Sequence, residues 1–170
     1  MKKRTGTILF VEDDPDTRHI VSELMSDAGH SVHPAKDGLE ALAHLERQSY
    51  DVLVTDYNMP SLNGLYLLTI SRALWPSLPV VMVSGEFGRV RADALRQGAY
   101  AWLSKPYHAD HLLRTIERAV ANVQESDVSL DEDAGHTQSG EVACLRSTAF
   151  AAHGRDTAPA LHGGAGYPVQ

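Results

Sequence analysis

The sequence predicts an α/β domain: a doubly wound, five-stranded parallel sheet followed by a disordered C-terminal tail. Three observations carry this. Short apolar runs begin near residues 7, 31, 52, 79 and 100, a helical pattern follows each of them, and the alternation stops after Val123. Strands and helices that alternate in this way form parallel sheets, because each right-handed crossover lays a helix on a sheet face between successive strands.

The first run, Thr7-Ile8-Leu9-Phe10-Val11, has the continuous apolar character of a strand buried on both faces and ends in Glu12-Asp13-Asp14. Pro15 suits a first helical turn with Asp14 as its cap. Ile20, Val21, Leu24, Met25 and Ala28 then recur at helical spacing up to a stop at Gly29. A short strand around Ser31–Pro34 precedes a second cap, Asp37, with Glu40 placed as in a capping box; Leu39, Leu42 and Leu45 mark that helix. The central strand, Val52-Leu53-Val54-Thr55-Asp56, runs into the turn Tyr57-Asn58-Met59-Pro60. Leu65, Leu67, Leu68, Ser71 and Leu74 define a third helix, which ends before Pro76 because a proline disfavours helix in the residue preceding it. Pro79–Val83 is a fourth strand, ending in Ser84-Gly85. The helix from Arg89 to Gln97 has the weakest apolar stripe (Val90, Ala94, Leu95). Tyr100–Ser104 is a fifth strand ending in Lys105-Pro106, and Leu112, Leu113, Ile116, Ala119, Val120 and Val123 form the clearest amphipathic helix. Five such strands suit the flavodoxin-like order 2-1-3-4-5, with its switch point between strands one and three.

Composition narrows the function classes. Residues 1–123 carry 13 Lys/Arg against 15 Asp/Glu, whereas residues 124–170 carry 2 against 7, for an overall charge of −7. That balance argues against a nucleic-acid partner held through phosphates. The segment after Val123 has few large apolar side chains and no period, so it reads as an acidic, disordered tail. Its only basic residues, Arg146 and Arg155, do not suit a DNA-binding output domain. The single cysteine, Cys144, excludes an intrachain disulfide. No apolar run approaches the ~20 residues of a membrane span, and the basic N-terminus lacks a signal-peptide core. The expectation is a cytoplasmic, single-domain protein. The nine histidines are scattered; His30 and His33 read as surface or edge, and His108 and His111 lack an acid or cysteine to complete a metal set.

The predicted topology gathers Glu12, Asp13, Asp56, Ser84 and Lys105 at one sheet edge, where ligands of open α/β sheets bind. A strand-end aspartate alone is more often a turn residue; its company decides the matter. Clustered carboxylates repel unless a cation joins them, and hard oxygen ligands select Mg²⁺. A lysine neutralises phosphoryl oxygens, a serine donates one hydrogen bond, and Asp56 is placed as nucleophile, which together make a phosphoryl-transfer site.

On these residues, with Asn63-Gly64 and the stretch Ala35 to Leu42, residues 5–123 resemble a receiver (CheY-like) domain of two-component response regulators. The resemblance implies that Asp56 accepts a phosphoryl group from a sensor histidine kinase or a histidine phosphotransfer protein. It implies Mg²⁺ bound directly by Asp13 and Asp56, by Glu12 through water, and by the Asn58 backbone carbonyl. Lys105 is implied to pair with the phosphate, and its bond to Pro106 to be cis. Ser84 is the switch hydroxyl, and Trp102 holds the aromatic switch position, where the family more often has Tyr or Phe. Asn58 and Glu86 occupy the lifetime-tuning positions and are similar to the chemotaxis-type pair, whose phosphoryl group is short-lived. The output implied is a downstream protein bound at the face of helix 4, strand 5 and helix 5, with no enzymatic activity beyond the protein's own phosphorylation and dephosphorylation. Two rivals stay open: a phosphorelay intermediate or phosphate sink that passes its phosphoryl group to a histidine phosphotransfer protein, and an interaction module that uses no phosphate. A metal-dependent hydrolase ranks below both, since no second acid follows Asp56 at two residues.

Overall fold

A computed structural model describes residues 5–86 and 88–128. Five strands and five helices alternate: β1 (Thr7–Val11), α1 (Pro15–Asp27), β2 (Ser31–Ala35), α2 (Gly38–Arg47), β3 (Val52–Asp56), α3 (Gly64–Leu74), β4 (Val80–Ser84), α4 (Arg89–Arg96), β5 (Ala101–Ser104) and α5 (Ala109–Val128). The sheet is parallel throughout, in the order β2-β1-β3-β4-β5, as the sequence predicts. The expected tail falls on residues outside those described, apart from the end of α5, which continues past Val123, the last residue of the apolar stripe.

Strand side chains alternate between two cores. Ile8, Phe10, Val52, Val54, Val81, Val83 and Leu103 pack with Val21 and Met25 of α1 and with Leu112, Ile116, Ala119 and Val120 of α5. Leu9, Val11, Leu53, Val80, Met82 and Trp102 pack on the other face with Ala41, Leu45, Leu67, Leu68 and Ala94 of α2, α3 and α4. Burial on both faces is why β3 and β4 read as unbroken apolar runs.

The helix starts follow local chemistry. The Asp14 carboxylate accepts from Thr17 N–H at 2.7 Å and that of Asp37 from Glu40 N–H at 2.8 Å. Glu40 reaches back to the amide of Lys36 at 2.7 Å, one residue before the position a capping box would use. Asn63 caps α3 through the amides of Leu65 and Tyr66. α4 has no side-chain cap and starts at Gly88, whose φ of 72° is left-handed.

Four sequence expectations need correction. His30 is buried, not at the surface: it follows α1 after Ala28 and Gly29, its amide donates to Met25 O, and its Nδ1 accepts from Gly6 N–H at 3.3 Å. Ile20, Leu39 and Leu95, assigned to apolar stripes, are exposed. Each stands next in sequence to a buried position, Val21, Gly38 or Ala94, and successive residues of a helix point about 100° apart, so it faces away from the core.

Candidate functional site

The site forms where β1, β3, β4 and β5 end. Registers Phe10↔Val54, Asp56↔Val83 and Ser84↔Ser104 bring those ends level, so Glu12, Asp56, Ser84 and Lys105 emerge at one edge. Asp56 is the last residue of β3 and is buried; Glu12 is buried beside it, and Asp13 is exposed. Carboxylate oxygens of Glu12, Asp13 and Asp56 all lie within 4.8 Å of one another.

Lys105 spans this cluster. Its Nζ donates to Asp56 Oδ2 at 2.6 Å and to Glu12 Oε2 at 2.9 Å. The other Asp56 oxygen, Oδ1, accepts from Asn58 N–H at 3.1 Å, and Glu12 Oε1 accepts from Asp14 N–H at 3.4 Å. Ser84 is fully buried, and its Oγ accepts from the amide of exposed Glu86 at 3.0 Å. The Lys105–Pro106 bond is cis. Trp102 is buried in the core beneath α4, with its ring centroid 6.0 Å from that of Tyr57. All the residues singled out from the sequence thus lie at the C-terminal edge of the sheet or in the strand beneath it. Asn58, exposed in the β3–α3 loop, is tied to Asp56 through its backbone.

The sequence reading quotes Gly64 only within the Asn63-Gly64 motif, without a role, and misses Arg18 altogether. Gly64, at the start of α3, packs against the backbone of Asp56 and donates its N–H to Tyr57 O at 3.0 Å. Arg18 of α1 donates from Nη1 to the carbonyls of Glu12 and Asp13, at 2.7 and 3.0 Å. A cation near a helix N-terminus runs against the macrodipole, and that anomaly is the signal Arg18 leaves in the sequence.

The electrostatics are short of positive charge, with three carboxylates facing one ammonium. Burial pushes the Glu12 carboxyl above its ordinary 4.5; the hydrogen bond and charge of Lys105 oppose this without cancelling it, while the Asp56 charge adds to it. Burial alone would lower the Lys105 ammonium, but the hydrogen bonds and charges of Asp56 and Glu12 outweigh it, and its pKa rises above 10.5. An all-oxygen donor set with surplus negative charge fits a hard divalent cation.

The raised Glu12 pKa has a sign that can be tested. The folded protein holds this proton to higher pH than the unfolded chain, so the contribution of Glu12 to stability falls as pH rises from about 4.5 through its folded value. In a chelator-containing buffer, the stability of Glu12→Gln relative to wild type should therefore rise as the pH is raised from about 4.5, read as the difference in Tm at each pH. A difference that stays flat or falls with pH would mean that Lys105 fully compensates Glu12.

A family model for the response regulator receiver domain matches residues 8–117. The chain belongs to this family. It is 33% identical over 121 residues to the DNA-binding transcriptional regulator NtrC of Salmonella typhimurium, covering 71% of this chain and 26% of that protein. It is 35% identical over 121 residues to the nitrogen assimilation regulatory protein NtrX of Azorhizobium caulinodans, covering 69% and 26%. The receiver chain therefore spans about a quarter of the length of these curated relatives. Among solved structures, the chemotaxis protein CheY4 of Vibrio cholerae is similar with a TM-score of 0.64 and 32% identity over 68% of this chain and 99% of that one. NtrX from Brucella abortus, in complex with ADP, is similar with a TM-score of 0.70 and 29% identity over 85% of this chain and 34% of that one. Receiver domains are signalling modules that interact with histidine kinases or phosphodonors and bind Mg²⁺ at an acidic pocket; Glu12, Asp13 and Asp56 form an acidic cluster of that kind. Among the described residues, no helix is long and apolar enough to cross a membrane.

Proposed function

We propose that this receiver domain accepts a phosphoryl group on Asp56 from a phosphohistidine donor, a sensor histidine kinase or a histidine phosphotransfer protein, and so switches a protein-binding surface. The observation that carries the reading is Lys105 held by two carboxylates at 2.6 and 2.9 Å in a cluster of three. A scaffold has no use for a partly buried arrangement that is short of positive charge, whereas a phosphoryl acceptor needs a nucleophilic carboxylate and nearby cations.

In the reaction a carboxylate oxygen of Asp56 forms a bond to phosphorus as the bond from phosphorus to the donor's imidazole nitrogen breaks, and that nitrogen keeps the electron pair. Asn58 N–H and Lys105 fix the orientation of the carboxylate beforehand. Lys105 can exchange Asp56 for a phosphoryl oxygen without leaving Glu12. Mg²⁺ held by Glu12, Asp13, Asp56 and the Asn58 carbonyl would supply further charge neutralisation there. Ser84 hydroxyl turns from the Glu86 amide toward the phosphoryl oxygens, and Trp102, under α4, carries the change to the face of α4, β5 and α5. The new bond acts by favouring one of two states of that face. Asn58 and Glu86 are exposed, with their amides on Asp56 Oδ1 and Ser84 Oγ, a placement that suits water access and a short-lived phosphoryl group. The reading assigns the receiver a protein contact and no DNA contact, and places it in the cytoplasm.

Incubation with Mg²⁺ and a small-molecule acyl phosphate should add one phosphoryl group, read by intact mass and mapped to Asp56, and chelation should prevent it. No adduct with Mg²⁺ present would favour the interaction module that uses no phosphate. An adduct that lasts for hours would overturn the lifetime assignment to Asn58 and Glu86, and rapid loss to a histidine phosphotransfer protein would favour the relay role.

A further inference from the structure

We infer that Arg18 is a positioning residue for the cation site: it holds the β1–α1 turn in the one backbone conformation that aims Glu12 and Asp13 at Asp56. This deepens the proposed function and rests on it.

The Arg18 side chain grips two consecutive carbonyl oxygens, and the first backbone bond of α1 takes the third. Its Nη1 donates to Glu12 O at 2.7 Å and to Asp13 O at 3.0 Å, and its own amide donates to Asp14 O at 2.9 Å. Nη1 carries two hydrogens, one for each side-chain bond. Its anchor is rigid, since Arg18 lies inside α1, whose start is set by the Asp14 cap and Pro15 and whose Val21 and Met25 are buried in the core.

The turn needs such a restraint. β1 ends at Val11, and Glu12 N–H still donates to Ala35 O at 3.1 Å, but the Glu12 and Asp13 carbonyls lie past the sheet ladder and ahead of the helix. With nothing holding these peptides, like-charge repulsion among three carboxylates would turn Asp13, the exposed member, away from the other two. Lys105 bonds to Glu12 and Asp56 and to no oxygen of Asp13. The guanidinium thus does what Lys105 leaves undone: it fixes the backbone from which Asp13 projects and places a permanent cation against the turn. Its side-chain bonds go to the backbone carbonyls of Glu12 and Asp13, so it acts through the residues that would hold the cation, as groups that orient metal-binding side chains do.

The test uses Arg18→Met, which keeps the aliphatic stem and helix propensity while removing the donors, and Arg18→Lys, which keeps the charge without the planar fork. Mg²⁺ affinity is measured by titration calorimetry on wild type, on both variants and on Met25→Ala, which lowers the stability of α1 from its buried side without touching the turn. The expected result is an Mg²⁺ Kd weakened about 10- to 100-fold in Arg18→Met, less in Arg18→Lys, and unchanged in Met25→Ala. Amide hydrogen exchange at residues 13 and 14 in metal-free protein should also accelerate in Arg18→Met. Wild-type affinity in both Arg18 variants would overturn the role of Arg18 and leave the proposed function standing. Equal weakening in Met25→Ala would reduce Arg18 to a general stability effect and overturn it as well. No Mg²⁺ binding by wild type would overturn both. If Arg18→Met does not fold, Arg18→Lys carries the comparison with Met25→Ala.

Discussion

Asp56→Asn is expected to take up no phosphoryl group from an acyl phosphate in Mg²⁺ while keeping the fold and stability of the wild type. Asparagine has the shape of aspartate, and its side-chain oxygen can still accept from Asn58 N–H, so the turn after β3 persists. What goes is the anionic nucleophile, and removing a nucleophile costs on the order of 10³-fold in rate or more. Lys105 loses one partner but keeps Glu12 at 2.9 Å, and the cluster loses one of three mutually repelling charges. Thermal stability without metal should therefore hold or rise. Intact mass after incubation with the phosphodonor reads the first effect, and a melt in chelator reads the second. An adduct formed at the wild-type rate would place the acceptor elsewhere, and a collapse in Tm would mean that Asp56 is needed for the fold.

Gly64→Ala is expected to destabilise by about 3 kcal/mol or more and to depress phosphorylation in whatever protein still folds. A Cβ at residue 64 would lie 2.2 Å from the carbonyl oxygen of Asp56 and 3.0 Å from both Asp56 C and Tyr57 Cα. Backbone atoms of the central strand are the obstacle, so no side-chain rotation relieves the contact. α3 could retreat only by breaking the Gly64 N–H bond to Tyr57 O and lifting Leu67 and Leu68 from the core. Any smaller adjustment moves the peptide that carries the Asp56 side chain. Gly85→Ala is the control: a Cβ there meets nothing within 4 Å, and a change within about 0.5 kcal/mol is expected. Urea denaturation of both variants measures the difference. A Gly64→Ala variant as stable as wild type would mean that α3 can move off β3 freely.

The acceptor is set by backbone packing as much as by its own hydrogen bonds. A glycine at 64 allows α3 to start directly against β3, which holds the peptide of Asp56 in place. Arg18 does the equivalent at β1, by hydrogen bonds to carbonyls in place of steric contact.

The alternation of strands and helices, the caps at Asp14 and Asp37, the break before Pro76 and the polar residues at the ends of β1, β3, β4 and β5 were all legible in the sequence. Each depends on residues within about one helical turn or one strand of each other, and such local preferences leave their pattern in the chain. The corrected positions depend on neighbours far along it. His30 is buried where Gly6, just before β1, donates its amide to the ring Nδ1, and Ile20, Leu39 and Leu95 are exposed because the buried face of each helix is taken by other positions, Val21 and Met25, Ala41 and Leu45, and Ala94. The site divides in the same way. Which residues could act there follows from residue type at strand ends. That Lys105 bonds both Glu12 and Asp56, that Arg18 turns back on the carbonyls before its own helix, and that Gly64 touches Asp56 were decided by tertiary structure alone. Lys105 and Glu12 are 93 residues apart, and their contact exists only because the order β2-β1-β3-β4-β5 and its registers bring four strand ends level. Local sequence chose the chemistry of each strand end, and the closure of the sheet set the distances between them.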